Sequence, residues 1–371
     1  MRGRVLITGG AGFIGSHLTD ELLQHGYEVR ILDNLSPQVH PDGKVPAYLS
    51  KDAELLIGDV RDPDAVAGAI KEVDAVVHLA AAVGVGQSMY EIAHYTSVNN
   101  MGTAILLEAL AAKPVKRLVV ASSMSIYGEG AYQDADGEMR NVEQRSLDQL
   151  RGGQWDIVGE DGQILQPVVT PESKRPDSSS VYALSKFDQE RLCLMVGQAY
   201  GIEAAALRLF NVYGPRQALS NPYTGVMAIF GSRYLNNAAP LIYEDGHQRR
   251  DFVNVHDVAQ AFRLAVESPG AAGQVFNIGS GRSMSILEIA QEMGKVLGRS
   301  EIVPRVTGEY RVGDIRHCYG DITHARENLG YEPRVSFEDG PMELAAWLDG
   351  QVAENRVDDA YSELRKKGLL V

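Results

Sequence analysis

The sequence predicts an α/β protein that is built on a doubly wound parallel sheet and carries a smaller mixed α/β lobe towards its C-terminus. Short apolar runs alternate with helical patterns along the first half of the chain, which is typical of parallel strands joined by crossover helices. A glycine-rich segment, residues 9–15, separates the first apolar run from the first helical pattern. The length of 371 residues exceeds what one core usually serves, so we expect two domains.

Five apolar runs in the first half predict buried parallel strands. They lie at Arg4–Thr8, Glu28–Leu32, Glu54–Gly58, Ala75–Leu79 and Arg117–Ser122. Apolar residues at helical spacing predict helices between these strands. These helices lie at His17–His25 and Thr103–Ala112, and a further helix begins at Pro63. The alternation predicts βαβ units and therefore a doubly wound sheet.

The second half begins with an insert, residues 129–180, in which Gly, Asp, Gln and Pro show little periodicity. A stretch of this length without clear structure of its own is either functional or mobile. Beyond it we predict a strand and three helices, at Ala204–Phe210, Tyr182–Ala199, Val255–Glu267 and Ile286–Leu297. We therefore place a nucleotide-binding domain at 1–210 and a substrate lobe, called the smaller lobe, at 211–371. Segments at about 251–280 are expected to return to the first domain.

The charge balance and the cysteine content exclude several classes of function. The chain has 35 Lys and Arg against 49 Asp and Glu, a net charge of −14, which argues against a nucleic-acid partner. The sequence has no run of the ~18 apolar residues that a membrane span needs, and its first residues predict a strand rather than a targeting signal. Cys193 and Cys318 are far apart and form no metal-binding motif, so we expect no metal and a reducing cytoplasmic location.

The glycine-rich segment predicts a dinucleotide site. Gly9, Gly12 and Gly15 lie between the first strand and the first helix, where backbone N–H groups can approach a pyrophosphate. Such glycines alone could form an ordinary turn. However, Asp33 ends the next strand, where its carboxylate can accept from ribose hydroxyls and would repel a 2′-phosphate. The pattern predicts a Rossmann-type domain that prefers NAD to NADP.

Further cofactor contacts are expected at the ends of the next two strands. Asp59 and Val60 end the third strand and would reach the adenine, while small residues at 80–82 let a cofactor lie against the backbone, although plain packing would also explain them. The predicted NAD-binding residues are Gly9, Gly12, Phe13, Ile14, Gly15, Asp33, Asn34, Asp59, Val60, Leu79, Ala80, Ala81, Asn99, Tyr182 and Lys186.

Tyr182 and Lys186 are the first candidates for catalysis. They are four residues apart on a predicted helix and so lie on one face of it. An ammonium near a phenol should lower the tyrosine pKa, so that Tyr182 could take a proton from a substrate hydroxyl while hydride passes to the nicotinamide. Lys186 could also hold the nicotinamide ribose. Such a pair occurs by chance in many helices, so the spacing alone does not assign the role.

Three serines follow the fifth strand, at the carboxyl end of the sheet where ligands of such folds bind. Ser123 could hydrogen-bond the reacting hydroxyl. Ser122 and Ser125 could equally well cap the end of the strand.

Several motifs follow one another along the sequence in the same order as in a known family. The chain resembles the extended short-chain dehydrogenase/reductase family, in particular nucleotide-sugar epimerases and dehydratases. The resemblance covers nearly the whole length. It rests on residues 8–15, on His78-Leu79-Ala80-Ala81, on Asn99 before Gly102-Thr103, on Ser123 before Tyr127-Gly128, on Tyr182 with Lys186, and on residues 208–216. It implies Ser123, Tyr182 and Lys186 as the catalytic set. It also implies a homodimer formed by the helices at 100–112 and 182–199.

The resemblance further implies residues that bind a sugar nucleotide. Asn211, Arg250 and Arg311 would hold the diphosphate, and the two arginines would supply the local positive charge that an anionic chain needs for an anionic ligand. Cys318 falls where related 4-epimerases place a residue that walls the sugar pocket, and its small size would admit a bulky or inverted sugar; it could equally be a buried structural cysteine. The predicted substrate-binding residues are Ser123, Met124, Ser125, Asn211, Tyr243, Gln248, Arg250, Arg311 and Cys318.

The residues after Ser123 favour one reaction of the family. Dehydratases usually carry an Asp-Glu pair there, whereas Met124 and Ser125 cannot act as general acids near pH 7. We therefore predict NAD-dependent 4-epimerisation of a nucleotide-diphosphate sugar, through transient oxidation at the sugar 4-position. Residues 124–130 and the insert are similar to those of bacterial dTDP-L-rhamnose 4-epimerases, so the substrate is expected to be dTDP-L-rhamnose or a related dTDP or UDP hexose. Some relatives carry metal-binding cysteine pairs in such an insert, and here it has none.

Two alternatives use the same residues. A 4-keto sugar-nucleotide reductase would use the Ser-Tyr-Lys set but release its cofactor at each turnover, and Asp33 counts against it because such reductases commonly favour NADPH. A non-catalytic NAD-binding protein would be expected to have a damaged catalytic set, whereas this set is intact.

Overall fold

A computed structural model describes residues 2–40, 43–217, 225–349 and 357–370. The strands are β1 (Arg4–Thr8), β2 (Glu28–Asp33), β3 (Glu54–Ile57), β4 (Ala75–His78), β5 (Arg117–Ser123), β6 (Ala131–Gln133), β7 (Met139–Arg140), β8 (Gln166–Val168), β9 (Glu203–Leu209), β10 (Asn211–Tyr213), β11 (Leu241–Ile242), β12 (Arg249–Asn254), β13 (Val275–Ile278), β14 (Ser283–Ser285), β15 (Arg305–Val306) and β16 (His317–Cys318). The α-helices are α1 (Phe13–Gln24), α2 (Pro63–Ala69), α3 (Val85–Ser88), α4 (Ile92–Tyr95), α5 (Gly102–Ala112), α6 (Leu147–Arg151), α7 (Val181–Tyr200), α8 (Val226–Leu235), α9 (Val255–Glu267), α10 (Ile286–Val296), α11 (Thr323–Leu329), α12 (Asp339–Asp349) and α13 (Val357–Lys366).

Seven parallel strands form the large sheet, in the order β13-β9-β5-β4-β1-β2-β3. The chain winds outwards in one direction from β1 to β3 and in the other from β4 to β13. The strand order therefore reverses between β1 and β4, and ligands of open α/β sheets bind at this point. The predicted doubly wound sheet is confirmed, and its five first strands lie within one residue of the predicted bounds.

Both faces of the large sheet are covered by helices, which explains why its central strands are apolar throughout. On one face, Leu18 and Leu22 of α1 pack with Phe262 of α9 against β1 and β9. On the other face, Leu110 of α5 and Cys193 of α7 belong to the second core cluster. The carboxyl edge of the strands is left uncovered by helices and can receive a ligand.

Helix α7 begins one residue before Tyr182, and its capping explains why. The Ser180 side chain accepts from the backbone N–H of Ala183 at 3.1 Å, which is a serine N-cap. The helix ends at Gly201, whose φ of 70° is in the left-handed region that favours glycine. Tyr182 and Lys186 therefore occupy the first two turns, beside the carboxyl end of β5.

The smaller lobe contains short strands and three packed helices. Strands β10, β12 and β14 form a sheet that β16 joins beside β12, and β11 pairs with β15. Phe230 of α8, Met293 of α10 and Leu348 of α12 share its core. Between these elements the chain returns to the large sheet, because α9 packs on α1 and β13 pairs with β9. The domain bounds that we drew at residues 210 and 211 stay a prediction.

The insert has structure of its own. Strand β6 pairs antiparallel with β7 and with β8, and α6 follows β7. Tyr132, Ile157 and Leu165 form its small apolar cluster. These strands have two or three residues, too few to show an alternating pattern in the sequence, which is why the sequence did not reveal them. Among the residues described, no helix is long and apolar enough to cross a membrane.

Candidate active site

A cavity of about 670 Å³ lies at the carboxyl ends of the large sheet's strands and extends to the smaller lobe. It brings together nearly all of the predicted site residues from both parts of the chain. The predicted residues that line it are Gly9, Gly12, Phe13, Ile14, Gly15, Asp33, Asn34, Asp59, Val60, Leu79, Ala80, Ala81, Ser123, Met124, Ser125, Tyr182, Lys186, Asn211, Tyr243, Gln248, Arg250 and Arg311. Asn99 and Cys318 are not among its lining residues.

The glycine segment forms a close backbone cradle at one end of the cavity. A Cβ atom on Gly15 would lie 2.3 Å from the carbonyl oxygen of Gly9, and Gly9 itself has a φ of 73°. Gly12 precedes α1 and has no side chain that could cap the first-turn N–H groups. A side chain at Gly9 or Gly15 would collide with neighbouring backbone, so these glycines let the turn close and present the first-turn N–H groups to an anion. The cradle therefore fits the pyrophosphate of a dinucleotide.

Asp33 ends β2 beside this cradle and is fixed by backbone groups. Its Oδ2 accepts from the N–H of Ala11 and its Oδ1 from that of Leu35, both at 2.9 Å. Each oxygen retains a second lone pair, which can accept from a ribose hydroxyl. Next to it, Asn34 Nδ2 donates to Asp59 Oδ2 at 2.9 Å. Hydrogen bonds from Arg61 hold the pKa of Asp59 well below its usual value.

Ser123 and Tyr182 meet where β5 ends and α7 begins. Ser123 is the last residue of β5, and its Oγ accepts from the backbone N–H of Ser125 at 3.2 Å. The hydroxyls of Ser125 and Ser123 lie 2.9 Å apart. Ser123 opposes the rise of the Tyr182 pKa, and both side chains line the same cavity. The sequence-predicted serine and tyrosine are thus brought to one site.

The pKa of Tyr182 differs from the sequence expectation. Burial raises it above its ordinary value of 10, and Ser123 opposes this rise. Lys186 is not among the groups that shift it, and the Lys186 Nζ donates to Gln189 Oε1 at 2.7 Å. The expectation of a lowered tyrosine pKa is therefore wrong for the arrangement described here, because burial disfavours the phenolate and raises the pKa.

Lys186 belongs to a buried series of hydrogen-bonded side chains that the sequence did not predict. Gln189 Nε2 donates to Thr103 Oγ1 at 2.8 Å, and Thr103 Oγ1 lies 2.9 Å from His78 Nε2. His78 Nδ1 lies 2.7 Å from Thr8 Oγ1. Burial lowers the pKa of His78 to about 3 and that of Lys186 to about 8. This series of hydrogen bonds links Lys186 to β1, β4 and α5 and so fixes the position of its amine.

Arg250 and Arg311 belong to the part of the cavity lining that the smaller lobe contributes, and both are held by neighbouring groups. Arg311 donates to both carboxylate oxygens of Asp314, at 3.1 and 2.6 Å, and its guanidinium lies 5.8 Å from the centre of the Tyr243 ring. Arg250 donates to the carbonyl oxygens of Ile315 and Arg316, at 2.5 and 2.9 Å. Fixed guanidinium groups of this kind suit the recognition of a diphosphate.

Three amide oxygens of the cavity lack partners. Asn211 Oδ1, Gln217 Oε1 and Gln248 Oε1 are buried and accept no hydrogen bond from the part of the chain that the structure describes. Buried acceptors in native proteins are nearly always satisfied. These side chains therefore fit a polar ligand with N–H or O–H donors, as a nucleotide sugar has.

Asn99 contributes to the site by shaping its wall rather than by lining it. Its Oδ1 accepts from the N–H of Ala82 at 2.7 Å, and its Nδ2 donates to the carbonyl of Ala82 at 3.1 Å. The same Nδ2 donates to Ser185 Oγ at 2.8 Å. Asn99 thus fixes the backbone after β4 against α7.

The position of Cys318 corrects the sequence hypothesis. Its side chain is buried in a cluster with Met124, Tyr127 and Phe210, and its Sγ lies 3.9 Å from Thr170 Oγ1. It does not line the cavity, because these larger neighbours surround it. Of the two interpretations of this residue, the structure supports the buried structural cysteine.

Some lining residues had no sequence signal. Arg233 of α8, Val85 and Gly86 of α3, and Leu364 of α13 all line the cavity. None belongs to a motif, and tertiary packing alone brings α8 and α13 to the site. Within the four described ranges, no group of three or more His, Cys, Asp and Glu residues is arranged to hold a metal ion.

The insert reaches the site through a buried ion-pair network. Arg145 Nη2 and Arg316 Nη1 each donate to Glu244, at 2.9 Å, and Glu129 accepts from the backbone N–H of Arg316 at 2.7 Å. Glu244 follows Tyr243 and Arg316 follows Ile315, and Tyr243 and Ile315 line the cavity. The insert therefore helps to fix two cavity-lining segments, and its last residues, Ser179 and Ser180, line the cavity themselves.

The fold, the glycine cradle and the Ser-Tyr-Lys arrangement together define an NAD-dependent enzyme of the extended short-chain dehydrogenase/reductase class. The model of the NAD dependent epimerase/dehydratase family matches residues 5–147 and 156–279. The chain belongs to this family.

Relatives of known name are similar over nearly the whole chain. The dTDP-L-rhamnose 4-epimerase of Burkholderia thailandensis is 37% identical over 93% of this chain and 94% of its own. The UDP-glucose 4-epimerase of Thermotoga maritima, solved with UDP-glucose, has a TM-score of 0.76 at 32% identity and covers 93% of this chain and 98% of its own. The UDP-glucose 4-epimerase of Thermus thermophilus, solved with NAD, has a TM-score of 0.74 at 32% identity. It covers 94% of this chain and 100% of its own.

Proposed function

We propose that the protein catalyses the NAD-dependent 4-epimerisation of a nucleotide-diphosphate sugar, dTDP-L-rhamnose or a related dTDP or UDP hexose. One observation carries the proposal. Ser123 and Tyr182 line one cavity with the glycine cradle and with Arg250 and Arg311. A sugar whose diphosphate is bound by the arginines can present its ring to the serine and the tyrosine.

Three side chains have separate roles in moving the proton of the sugar's 4-hydroxyl. Bound NAD supplies the acceptor and donor of the hydride that leaves and returns at the sugar's C4. Tyr182 takes the proton of the 4-hydroxyl and later returns it, while Ser123 hydrogen-bonds the same oxygen. Lys186, fixed by Gln189, places a positive charge near the phenolate and offers hydrogen bonds to a ribose.

Epimerisation also requires that the oxidised sugar turn over before it is reduced. Arg250 and Arg311 hold the diphosphate at a fixed place, so the sugar can rotate about its link to the phosphate without leaving the cavity. A volume of about 670 Å³ lies within the range of cavities that enclose ligands of this size. Met124 and Ser125 add no general acid beside Ser123, which disfavours dehydration.

The test begins with the purified protein. It is denatured and the released cofactor is identified; native enzyme is then incubated with dTDP-L-rhamnose and with UDP-glucose, without added NAD, and the products are followed by NMR. We expect about one NAD per chain and conversion between 4-epimers. Protein that needs added NAD(P)H and accumulates a reduced sugar would be a 4-keto sugar reductase instead.

Two further features of the molecule accompany this proposal. Met101 beside α5 and Leu184 and Met195 on α7 are about half exposed, and α5 packs against α7. Such apolar side chains on adjacent helices support a homodimer formed through these helices.

Both cysteines are free and buried, which supports a reducing cytoplasmic location.

A further inference from the structure

Helix α13 and the residues after it attach to the segment of the smaller lobe that carries Arg311. The backbone N–H of Val312 donates to the carbonyl of Leu369 at 2.9 Å, and Leu370 forms an antiparallel bridge with Arg311. Arg365 Nη2 donates to Glu309 Oε1 at 3.0 Å. The C-terminal segment is therefore bound to the backbone at Arg311 and Val312 and to the side chain of Glu309.

The same helix contacts the segment that follows β4 in the large sheet's half of the cavity. Leu364 Cδ2 lies 3.1 Å from the position that a Cβ on Gly86 would take. Lys367 Nζ lies 5.5 Å from the centre of the Tyr90 ring. Helix α13 thus spans the cleft between the α3 region and the Arg311 segment.

Leu364 is the side chain that α13 contributes to the cavity. It is 4% exposed and is a lining residue, as are Gly86, which it contacts, and Val83 and Val85 of the same segment. These neighbours carry no side-chain hydrogen-bonding group. The wall that Leu364 forms with them, which we call the apolar wall, therefore contributes no polar side chain to a ligand.

The apolar wall lies between the proposed base and the proposed diphosphate site. Val85 Cγ1 lies 3.8 Å from the Cβ position of Gly313, which is two residues from Arg311. Ser179, three residues before Tyr182, donates from Oγ to the carbonyl of Gly313 at 3.2 Å. A sugar that extends from Arg311 to Tyr182 is therefore expected to come close to Val85 of this wall.

A hexose meets such a wall favourably through its C–H groups. The ring C–H groups are on carbons that also carry oxygen, whereas the C6 methyl group of a 6-deoxy sugar carries none. A hydroxyl pressed against the wall would lose hydrogen bonds to water without replacement, whereas a methyl group would gain from burial. We propose that Leu364 is a specificity-determining residue that favours 6-deoxy sugars over sugars with a C6 hydroxyl. This rests on the proposed function and deepens it.

The test compares substrates that differ only in the C6 hydroxyl. The pairs are dTDP-L-rhamnose with dTDP-L-mannose and UDP-6-deoxyglucose with UDP-glucose. We expect the wild type to prefer the 6-deoxy member by about 10-fold or more in kcat/KM, the size of a discrimination that one pocket contact supplies. Leu364→Asn, nearly isosteric, should lower this ratio by about 10-fold, while Leu364→Met should keep it. Lys366→Ala, at an exposed position of the same helix, is the matched control and should also keep it.

The outcomes separate the inference from the proposed function. Melting temperature and bound NAD establish that each variant is folded. Epimerisation of neither pair by the wild type would refute the proposed function. An active wild type that prefers the C6-hydroxyl member would overturn the role of Leu364 alone. That role would also be overturned if Leu364→Asn lowers kcat/KM equally for both members of a pair. It would be overturned as well if Leu364→Met loses the preference for the 6-deoxy member as fully as Leu364→Asn does.

Discussion

Arg145 of the insert and Glu244 of the smaller lobe form a buried ion pair, with Nη2 2.9 Å from Oε1. Their side chains are only 2% and 1% exposed. Arg145 Nη1 also donates to the carbonyl of Trp155 at 2.9 Å, and Arg316 provides a second partner for Glu244. The insert thus supplies a cation that a buried carboxylate beside the cavity requires.

Replacing Arg145 by Met should therefore destabilise the protein strongly. Removing one member of a buried pair costs about 3–5 kcal/mol of the free energy of unfolding when it leaves an uncompensated charge. Because Arg316 still pairs with Glu244, we expect a loss near the lower end of this range. Urea denaturation would measure this loss. Arg151→Met, in α6 of the same insert with a side chain 62% exposed, should change stability by less than about 0.5 kcal/mol. Equal effects of the two substitutions would show that the buried pair has no special role.

Tyr182→Phe should abolish most of the turnover while leaving the fold intact. The substitution removes the hydroxyl that moves the proton and keeps the ring that packs in the first turn of α7. General acid–base groups of this kind contribute about 10²- to 10⁴-fold to kcat. Tyr200→Phe, at the exposed end of the same helix, is the control and should leave kcat unchanged. A loss of bound NAD in Tyr182→Phe would mean that the tyrosine acts in binding rather than in proton transfer.

The activity should fall as the pH rises through about 8. Burial lowers the pKa of Lys186 to about 8, so its ammonium is lost there rather than near its ordinary value of 10.5; Cys193 and Glu190 on the same helix oppose this lowering. The unfolded chain keeps the proton up to about 10.5, so this group's contribution to stability rises with pH between these values.

A profile of kcat/KM against pH would reveal this titration as a descending limb. Lys186→Arg keeps the charge at all accessible pH values, so residual activity in this variant should lack that limb. A limb that stays at the same pH in the variant would assign the titration to another group.

A charge on the exposed face of α7 should dissociate the proposed homodimer. Met195 is 50% exposed and lies eleven residues after Leu184, about three helical turns along the same face. Met195→Asp should give a monomer by light scattering, because burying an unpaired carboxylate in an apolar interface is costly. Met342→Asp, at an exposed position of α12, should remain a dimer. A monomeric wild type would refute the dimer itself.

The large sheet could be predicted because its physical signal is local. Strands such as β1 and β5 are buried on both faces, so each is a continuous apolar run between turns. The glycine cradle and Asp33 follow from strand ends and helix starts in the same way. Tyr182 and Lys186 needed only helical spacing.

The remaining features depend on contacts between distant parts of the chain. Nothing near Cys318 in sequence shows that Phe210 and Met124 surround its thiol. Leu364 lies on α13, and the sequence pattern of this helix does not show that the helix packs over the cavity. The pKa of Tyr182 depends on burial, which the spacing to Lys186 does not show.

Strand β13 has a consequence for how the molecule is made. It completes the large sheet beside β9, yet it follows β9 only after much of the smaller lobe. During synthesis, β9 therefore remains an open edge, with unpaired backbone groups, until residues 275–278 have left the ribosome. A nascent chain stalled between these two strands would expose that edge to other chains. Premature termination in this interval should thus yield aggregates rather than a folded nucleotide-binding half.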